Sequence, residues 1–153
     1  MISKNVTDFL DERFFLQELN SRTKNDVLQE LMRPLIESEQ VQNAELLHET
    51  LRQRELMGST GLGKGIAVPH CRSTLVSRLL LLVGRSSKGI DYDAVDKKPV
   101  HLFFLIVAPP IEDNNDYLPL LGKIVEIVRD GRKRKAMLKA EGFKALVRVF
   151  EKG

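Results

Sequence analysis

The chain is poor in most of the features that would decide its class outright. It has one cysteine, Cys71, so no internal disulfide can form, and a cytoplasmic protein fits that best. No apolar run is fit to cross a bilayer, because the stretches 79–84 and 100–110 are each interrupted or too short. The opening residues Met1-Ile2-Ser3-Lys4-Asn5-Val6-Thr7-Asp8 lack a basic region followed by an apolar core, so no secretory signal is expected. Neither sign of charge is in excess. Lys and Arg number 24 against 21 Asp and Glu, and a net charge of +3 names no anionic partner. No repeat, low-complexity tract or linker is present. Three scattered histidines and one cysteine give no metal-ligand spacing, so no metal site is expected.

What is present suits one packed domain over 1–153. A chain of 153 residues buries roughly 68–70% of its unfolded surface and needs no staple. With 42% hydrophobic and 29% charged residues, wholesale disorder is excluded. Thr23-Lys24-Asn25-Asp26 reads as a capping box, and Val27, Leu28, Leu31, Leu35 and Ile36 follow at helical spacing. Pro34 is expected to kink that helix or end its first part. A second helix runs over 43–57 and stops at Gly58. The stretch 14–16 fits a strand or a helix equally. Strands are expected at 66–69, 79–85 and 100–108, with a turn region over 87–94. The acidic loop 112–116 leads into a helix over 117–129 with Pro119 in its first turn, and helices over 133–139 and 142–151 close the chain. The result is an α/β fold with helices covering a sheet. The basic run Arg129, Arg132, Lys133, Arg134 and Lys135 reads as a helix end with cations near its carbonyls. It has no interleaved aromatics and no helix-turn-helix spacing, so no nucleic-acid partner is expected.

The segment 58–65 carries four glycines in eight residues and must be a loop. Gly58-Ser59-Thr60-Gly61-Leu62-Gly63-Lys64 matches the G-x-x-x-x-G-K spacing of a phosphate loop, but Gly65 stands where Ser or Thr should hold magnesium. The order is also reversed, because this loop follows a helix and enters a strand. What remains is a flexible loop of backbone N–H groups, a candidate anion nest, that delivers His70 at a strand end held extended by Pro69. A neutral imidazole can attack a phosphoryl group through one nitrogen while the other is held by a hydrogen bond. Phosphoryl transfer asks mainly for positioning and charge neutralisation, and Arg54 supplies a planar fork for phosphoryl oxygens. Ser59 and Thr60 supply hydroxyl donors.

The run Arg54-Glu55-Leu56-Met57-Gly58-Ser59-Thr60-Gly61-Leu62-Gly63 with Ile66-Ala67-Val68-Pro69-His70 resembles the signature of the EIIA domain of the bacterial phosphoenolpyruvate-dependent phosphotransferase system, in its fructose/mannitol/nitrogen-regulatory class. Gly89-Ile90-Asp91-Tyr92-Asp93-Ala94-Val95-Asp96 followed by Pro99-Val100 is a second match, and the likeness extends from about Thr23 to Glu151. The resemblance implies a mixed β-sheet flanked by helices on both faces. It implies that His70 accepts a phosphoryl group from HPr or a nitrogen-branch HPr-like carrier, assisted by Arg54, with no metal or nucleotide cofactor. The group then passes to an EIIB domain, or the phosphorylation state regulates a target protein. The length leaves no room for a fused EIIB or a membrane-embedded EIIC, and with the Gly-Ser-Thr-Gly-x-Gly wording this favours the nitrogen-regulatory branch. Two positions depart from the pattern. Tyr117 stands where the family often has a second histidine, and Cys71 follows His70 where a smaller residue is common.

The expected site is therefore His70 and Arg54, supported by Ser59, Thr60, Gly61, Gly63 and Tyr117. His101, at the head of a buried strand, is a second candidate if that strand neighbours His70, and otherwise a structural residue. Glu55 is expected to pair with a nearby cation rather than act as a base. Cys71 is expected to be a packing residue. The alternative function is a binding module of the same fold that regulates a partner by contact without being phosphorylated.

Overall fold

The structure is a computed structural model describing residues 5–112 and 114–151. Residues 1–4, part of the signal-sequence reading, and Asp113, part of the acidic loop, lie outside the described residues. Among the described residues no helix is long and apolar enough to cross a membrane.

The spine is strand β6 (Val100–Ala108), buried along its whole length except at His101. A strand apolar on both faces must be covered on both. Strand β5 (Leu80–Ile90) pairs with it antiparallel, from Leu80 opposite Val107 to Arg85 opposite Leu102. Strand β1 (Phe15–Leu16) lies parallel to β5 on its other side, so the ambiguous 14–16 stretch is divided, with Phe14 ending a short 3-10 turn and 15–16 forming strand. Two short pieces follow one another along the free edge of β6. Strand β3 (Ile66–Ala67) runs parallel to Leu102 and Phe103, and strand β4 (His70–Arg72) runs parallel to Ile106, Val107 and Ala108. Pro69 separates them because it has no N–H to give the ladder, although its carbonyl still accepts from Ile106 N at 3.0 Å. Strand β2 (Gly61–Gly63) pairs antiparallel with β3 and completes a mixed sheet in the order β1-β5-β6-β3-β2.

Alternation along β6 sorts the core into two layers. Phe103, Leu105 and Val107 pack with α1 (Lys24–Glu37) and α2 (Ala44–Leu56). Leu102, Phe104, Ile106 and Ala108 pack with α3 (Tyr117–Val128), α4 (Gly131–Lys139) and α5 (Phe143–Glu151). Helices thus flank both faces, as the resemblance implied.

Helix α1 continues through Pro34 to Glu37, and Ser38 N and Oγ both donate to the Pro34 carbonyl. Three local expectations change. Strand β5 extends beyond Arg85 into the presumed turn region, with its register shifting before Ile90 meets Val100. Part of the glycine loop is strand β2. Helix α4 starts two residues early, at Gly131, because the Asp130 side chain accepts from Arg132 N at 2.9 Å.

Two buried or half-buried arginines fasten the helical layer. Arg134 donates from Nη1 to the Val128 and Arg129 carbonyls at 2.7 and 3.0 Å, closing the end of α3 as a helix-end cation should. Arg85, 7% exposed on β5, donates from Nη1 to the Met137 and Ala140 carbonyls at 2.8 and 2.6 Å and closes the end of α4. Of the rest of the basic run, Arg129 is the C-cap of α3, whereas Arg132, Lys133 and Lys135 lie in the first half of α4 and not at a helix C-terminus.

Candidate functional site

Three chain segments meet at the β4 end of the sheet edge. The strand break at Pro69 presents His70, which is half-buried. The last turn of α2 brings Arg54, also half-buried. The first turn of α3 brings Tyr117, held in place because Glu112 Oε1 accepts from both Asp116 N and Tyr117 N. This carboxylate caps the start of α3.

His70 Nδ1 lies 2.7 Å from the carbonyl oxygen of Val68. A carbonyl can only accept, so Nδ1 carries the proton and Nε2 of the neutral ring holds its lone pair outward. The Tyr117 ring stands 6.2 Å from the imidazole, centroid to centroid. Arg72 lies over the Tyr117 ring at 4.5 Å and donates to the Pro109 carbonyl at 2.9 Å, with Glu112 Oε2 at 3.4 Å. Burial pushes the Tyr117 phenol up to about 12, and the Arg72 and Arg54 charges only partly oppose it. The phenol is therefore a neutral hydrogen-bond donor near neutral pH, and the Arg54 charge is felt at it. Arg54 uses Nη1 to hold the Gly58 carbonyl at 3.0 Å, leaving the rest of its fork.

Beneath Arg54 lies a buried polar cluster. The Glu55 carboxylate accepts from Thr60 N at 3.1 Å, from the Thr60 hydroxyl, and from Lys24 Nζ at 3.2 Å. Tyr92 OH is 3.1 Å from Thr60 Oγ1. Since the single hydroxyl hydrogen of Thr60 goes to Glu55, Tyr92 must donate to Thr60. Burial first, then the Glu55 charge, drives the Tyr92 phenol strongly upward and keeps it protonated. Glu55 thus pairs with a cation as expected. Breaking such a pair by removing one partner costs about 3–5 kcal/mol.

The glycine segment is not an open anion cradle. Three of its amides are spent inside the protein, with Thr60 N on Glu55, Gly61 N on Ser59 Oγ at 3.0 Å and Lys64 N on Asp96 Oδ2 at 3.0 Å. Gly61 is glycine because a Cβ there would lie 2.8 Å from the Ala94 backbone, and its carbonyl accepts from Val95 N. Gly63 belongs to the β2–β3 ladder and backs onto Asp96. Lys64 and Gly65, with φ of 58° and 81°, form the two-residue turn between those strands. Gly61, Gly63 and Thr60 therefore shape the loop and do not point donors at His70. Ser59 differs, because its Oγ acts as acceptor for Gly61 N and Lys24 Nζ and keeps its own hydrogen to donate.

Cys71 is buried in the opposite layer, and burial pushes its thiol up to about 12, as befits a packing residue. His101 does not join His70. Its position on β6 is five residues before Ile106, the partner of His70, or about 16 Å at ~3.3 Å per residue. Among the described residues no group of three or more His, Cys, Asp or Glu side chains could hold a metal ion.

The profile of the family described as phosphoenolpyruvate-dependent sugar phosphotransferase system, EIIA 2, matches residues 8–153. The chain belongs to this family. As an EIIA chain it is 34% identical over 125 residues to the nitrogen regulatory protein of Bradyrhizobium diazoefficiens, covering 82% of this chain and 80% of that one. It is 30% identical over 145 residues to the fructose-specific EIIABC component of Bacillus subtilis, covering 95% of this chain but only 23% of that longer protein. Among solved structures, nitrogen regulatory protein IIA-Ntr from Neisseria meningitidis superposes with a TM-score of 0.86 at 25% identity, covering 95% of this chain and 98% of that one. Mannitol IIA of Escherichia coli, solved in complex with phosphorylated IIB, shares the fold with a TM-score of 0.77 at 16% identity, covering 94% and 98% of the two chains.

Sequence reading missed three residues that the structure brings to this candidate site. Lys24 and Tyr92 come from α1 and from the segment before β6, far from Glu55 in sequence, and no local spacing announces them. Arg72 had a weak signal, since two residues along a strand from His70 it must share that face.

Proposed function

We propose that this EIIA chain is a phosphocarrier of the nitrogen-regulatory type and that His70 is its phosphoryl acceptor. The observation that carries the reading is the Nδ1–H bond to the Val68 carbonyl, which fixes the tautomer and leaves Nε2 as nucleophile. The Nε2 lone pair attacks phosphorus as the bond from phosphorus to the donor nitrogen breaks, and the donor ring keeps that electron pair. The Val68 carbonyl stabilises the positive charge gathering on His70. In this reading Arg54, the Tyr117 hydroxyl and the Ser59 hydroxyl meet the phosphoryl oxygens. The same groups serve onward transfer by microscopic reversal.

The donor in this reading is an HPr-like carrier, and the acceptor is an EIIB domain or a regulated target, met in the cytoplasm. Exposed apolar side chains support a protein partner. Met57, three residues after Arg54, is 84% exposed, and Leu118, beside Tyr117, is 65% exposed. The nitrogen-regulatory type is supported by the relatives of that name and by the isolated Gly-Ser-Thr-Gly-x-Gly wording.

Mixing the purified protein with phosphoenolpyruvate, enzyme I and HPr or its nitrogen-branch counterpart, then recording intact mass, tests the proposal. One acid-labile phosphoryl group that disappears in His70→Ala is expected. Labelling that survives in His70→Ala overturns the assignment. No labelling with any carrier favours the contact-regulator alternative.

A further inference from the structure

At the other end of the same sheet edge lies a cleft of about 520 Å³ between the Lys64–Gly65 turn, the head of β6 and the first turns of α4. It contains none of the groups assigned to phosphoryl transfer. Lys64, Arg132, Arg134 and Lys135 line it against a single carboxylate, Asp130, whose oxygen is occupied by Arg132 N. Arg134 is tied to the end of α3. Among the described residues, the side chains of Lys64, Arg132 and Lys135 have no hydrogen bond or salt bridge. Ile66 and Leu138 supply an apolar wall.

His101 reaches this cleft through a defect in the sheet. His101 N and Leu102 N both donate to the Gly65 carbonyl, at 2.8 and 3.0 Å, so two residues of β6 oppose one. Val100 packs in the α1–α2 layer and Leu102 in the α3–α5 layer, and the inserted His101 turns with Leu102 towards α4. Such bulges re-aim side chains. His101 Nδ1 lies 2.8 Å from the Ser86 carbonyl, so Nδ1 carries the proton, and the Cε1–Nε2 edge of the ring packs against Gly89. Arg85 and Arg134 anchor α4, so the cationic wall stands on a fixed element.

We propose that this cleft binds a small metabolite carrying a diphosphate group, with Lys64, Arg132 and Lys135 on the phosphates and the organic part against Ile66, Leu138 and the His101 ring. Four lining cations against Asp130, with Asp96 behind the Lys64 amide, leave the site net positive, which suits a diphosphate group, and the volume admits a nucleoside diphosphate. This is not a phosphate loop, because the contacts come from side chains and the Lys64 amide is held by Asp96.

Titrating the ¹⁵N-labelled protein with inorganic pyrophosphate and, separately, with ADP at physiological ionic strength tests this. Saturable shifts at Gly65, His101 and Arg132, tighter for ADP than for pyrophosphate, are expected, with no shift at His70 or Tyr117. The triple variant K64Q/R132Q/K135Q should weaken ADP by about tenfold or more while keeping a dispersed spectrum and full labelling at His70. His70→Ala should bind ADP like the wild type, which separates this site from the phosphocarrier reading. Absence of saturation with either probe, an unweakened triple variant, or an acidic peptide that displaces ADP and binds more tightly would each overturn the small-metabolite site, the last in favour of a protein partner.

Discussion

His70 and His101 stand about 16 Å apart along one edge of β6, at ~3.3 Å per residue, and their rings are held alike. Each has Nδ1 against a backbone carbonyl, Val68 at 2.7 Å and Ser86 at 2.8 Å, so each carries its proton on Nδ1. Their neighbourhoods differ. His70 faces a phenol stacked under one arginine, with a second arginine whose charge is felt at that phenol. His101 faces loose cations around a cleft. A nucleophile that exchanges a phosphoryl group with another protein needs a shallow, accessible position and donors set around one atom. A site for a small anion needs a concavity. The histidine is common to both, so the surroundings assign the chemistry.

That contrast can be broken most sharply by exchanging the losses. His70→Ala should abolish phosphoenolpyruvate-dependent labelling, while His101→Ala should label within about twofold of wild type, measured by intact mass at fixed carrier concentration. Next in size, Arg54→Ala should slow transfer on the order of 10²-fold in a quenched-flow assay, the cost of removing one positioned donor from developing charge. Glu55→Ala should lower stability by about 3 kcal/mol in urea unfolding, because it strands Lys24, Thr60 and the Thr60 amide. If Glu55→Ala unfolds like wild type, the polar cluster is not what holds the Arg54 turn.

The smallest effect is an alkaline one, and it belongs to the His70 end. The Cys71 thiol and the Tyr117 phenol are both pushed up to about 12 by burial. An acid with a raised folded pKa favours the protonated native state. Its contribution is complete below the unfolded pKa and is lost as pH rises from there to the folded pKa. Stability should therefore fall from about pH 8.5 upward, through the unfolded values of the thiol and then the phenol. Cys71→Ala should make that decline shallower, and an unchanged slope would contradict a buried thiol there.

Much of this was legible in the chain. The capped start of α1, the Gly58 stop of α2 and the continuous apolar runs of β5 and β6 are local statements, and local chemistry wrote them. The positions of the candidate residues His70 and Arg54 were legible because Pro69 and Gly58 fix the backbone beside them. What local reading misjudged depended on partners distant in sequence. Gly61 looks like loop flexibility until Ala94 arrives against it. Thr60 looks like an open donor until Glu55 and Tyr92 enclose it. His101 looks like an alternating strand residue until the shared Gly65 carbonyl reveals the extra residue. Lys24, thirty-one positions from Glu55, had no signal beyond its place in a first helical turn.

The central claim is that the Val68 carbonyl selects Nε2 of His70 as the acceptor atom. Phosphorylating ¹⁵N-histidine-labelled protein through the carrier chain and correlating ³¹P with the imidazole nitrogens tests it directly. The account predicts a single phosphoryl group coupled to Nε2 of His70, with Nδ1 still protonated. A phosphoryl group on Nδ1 of His70, or on His101, would contradict it.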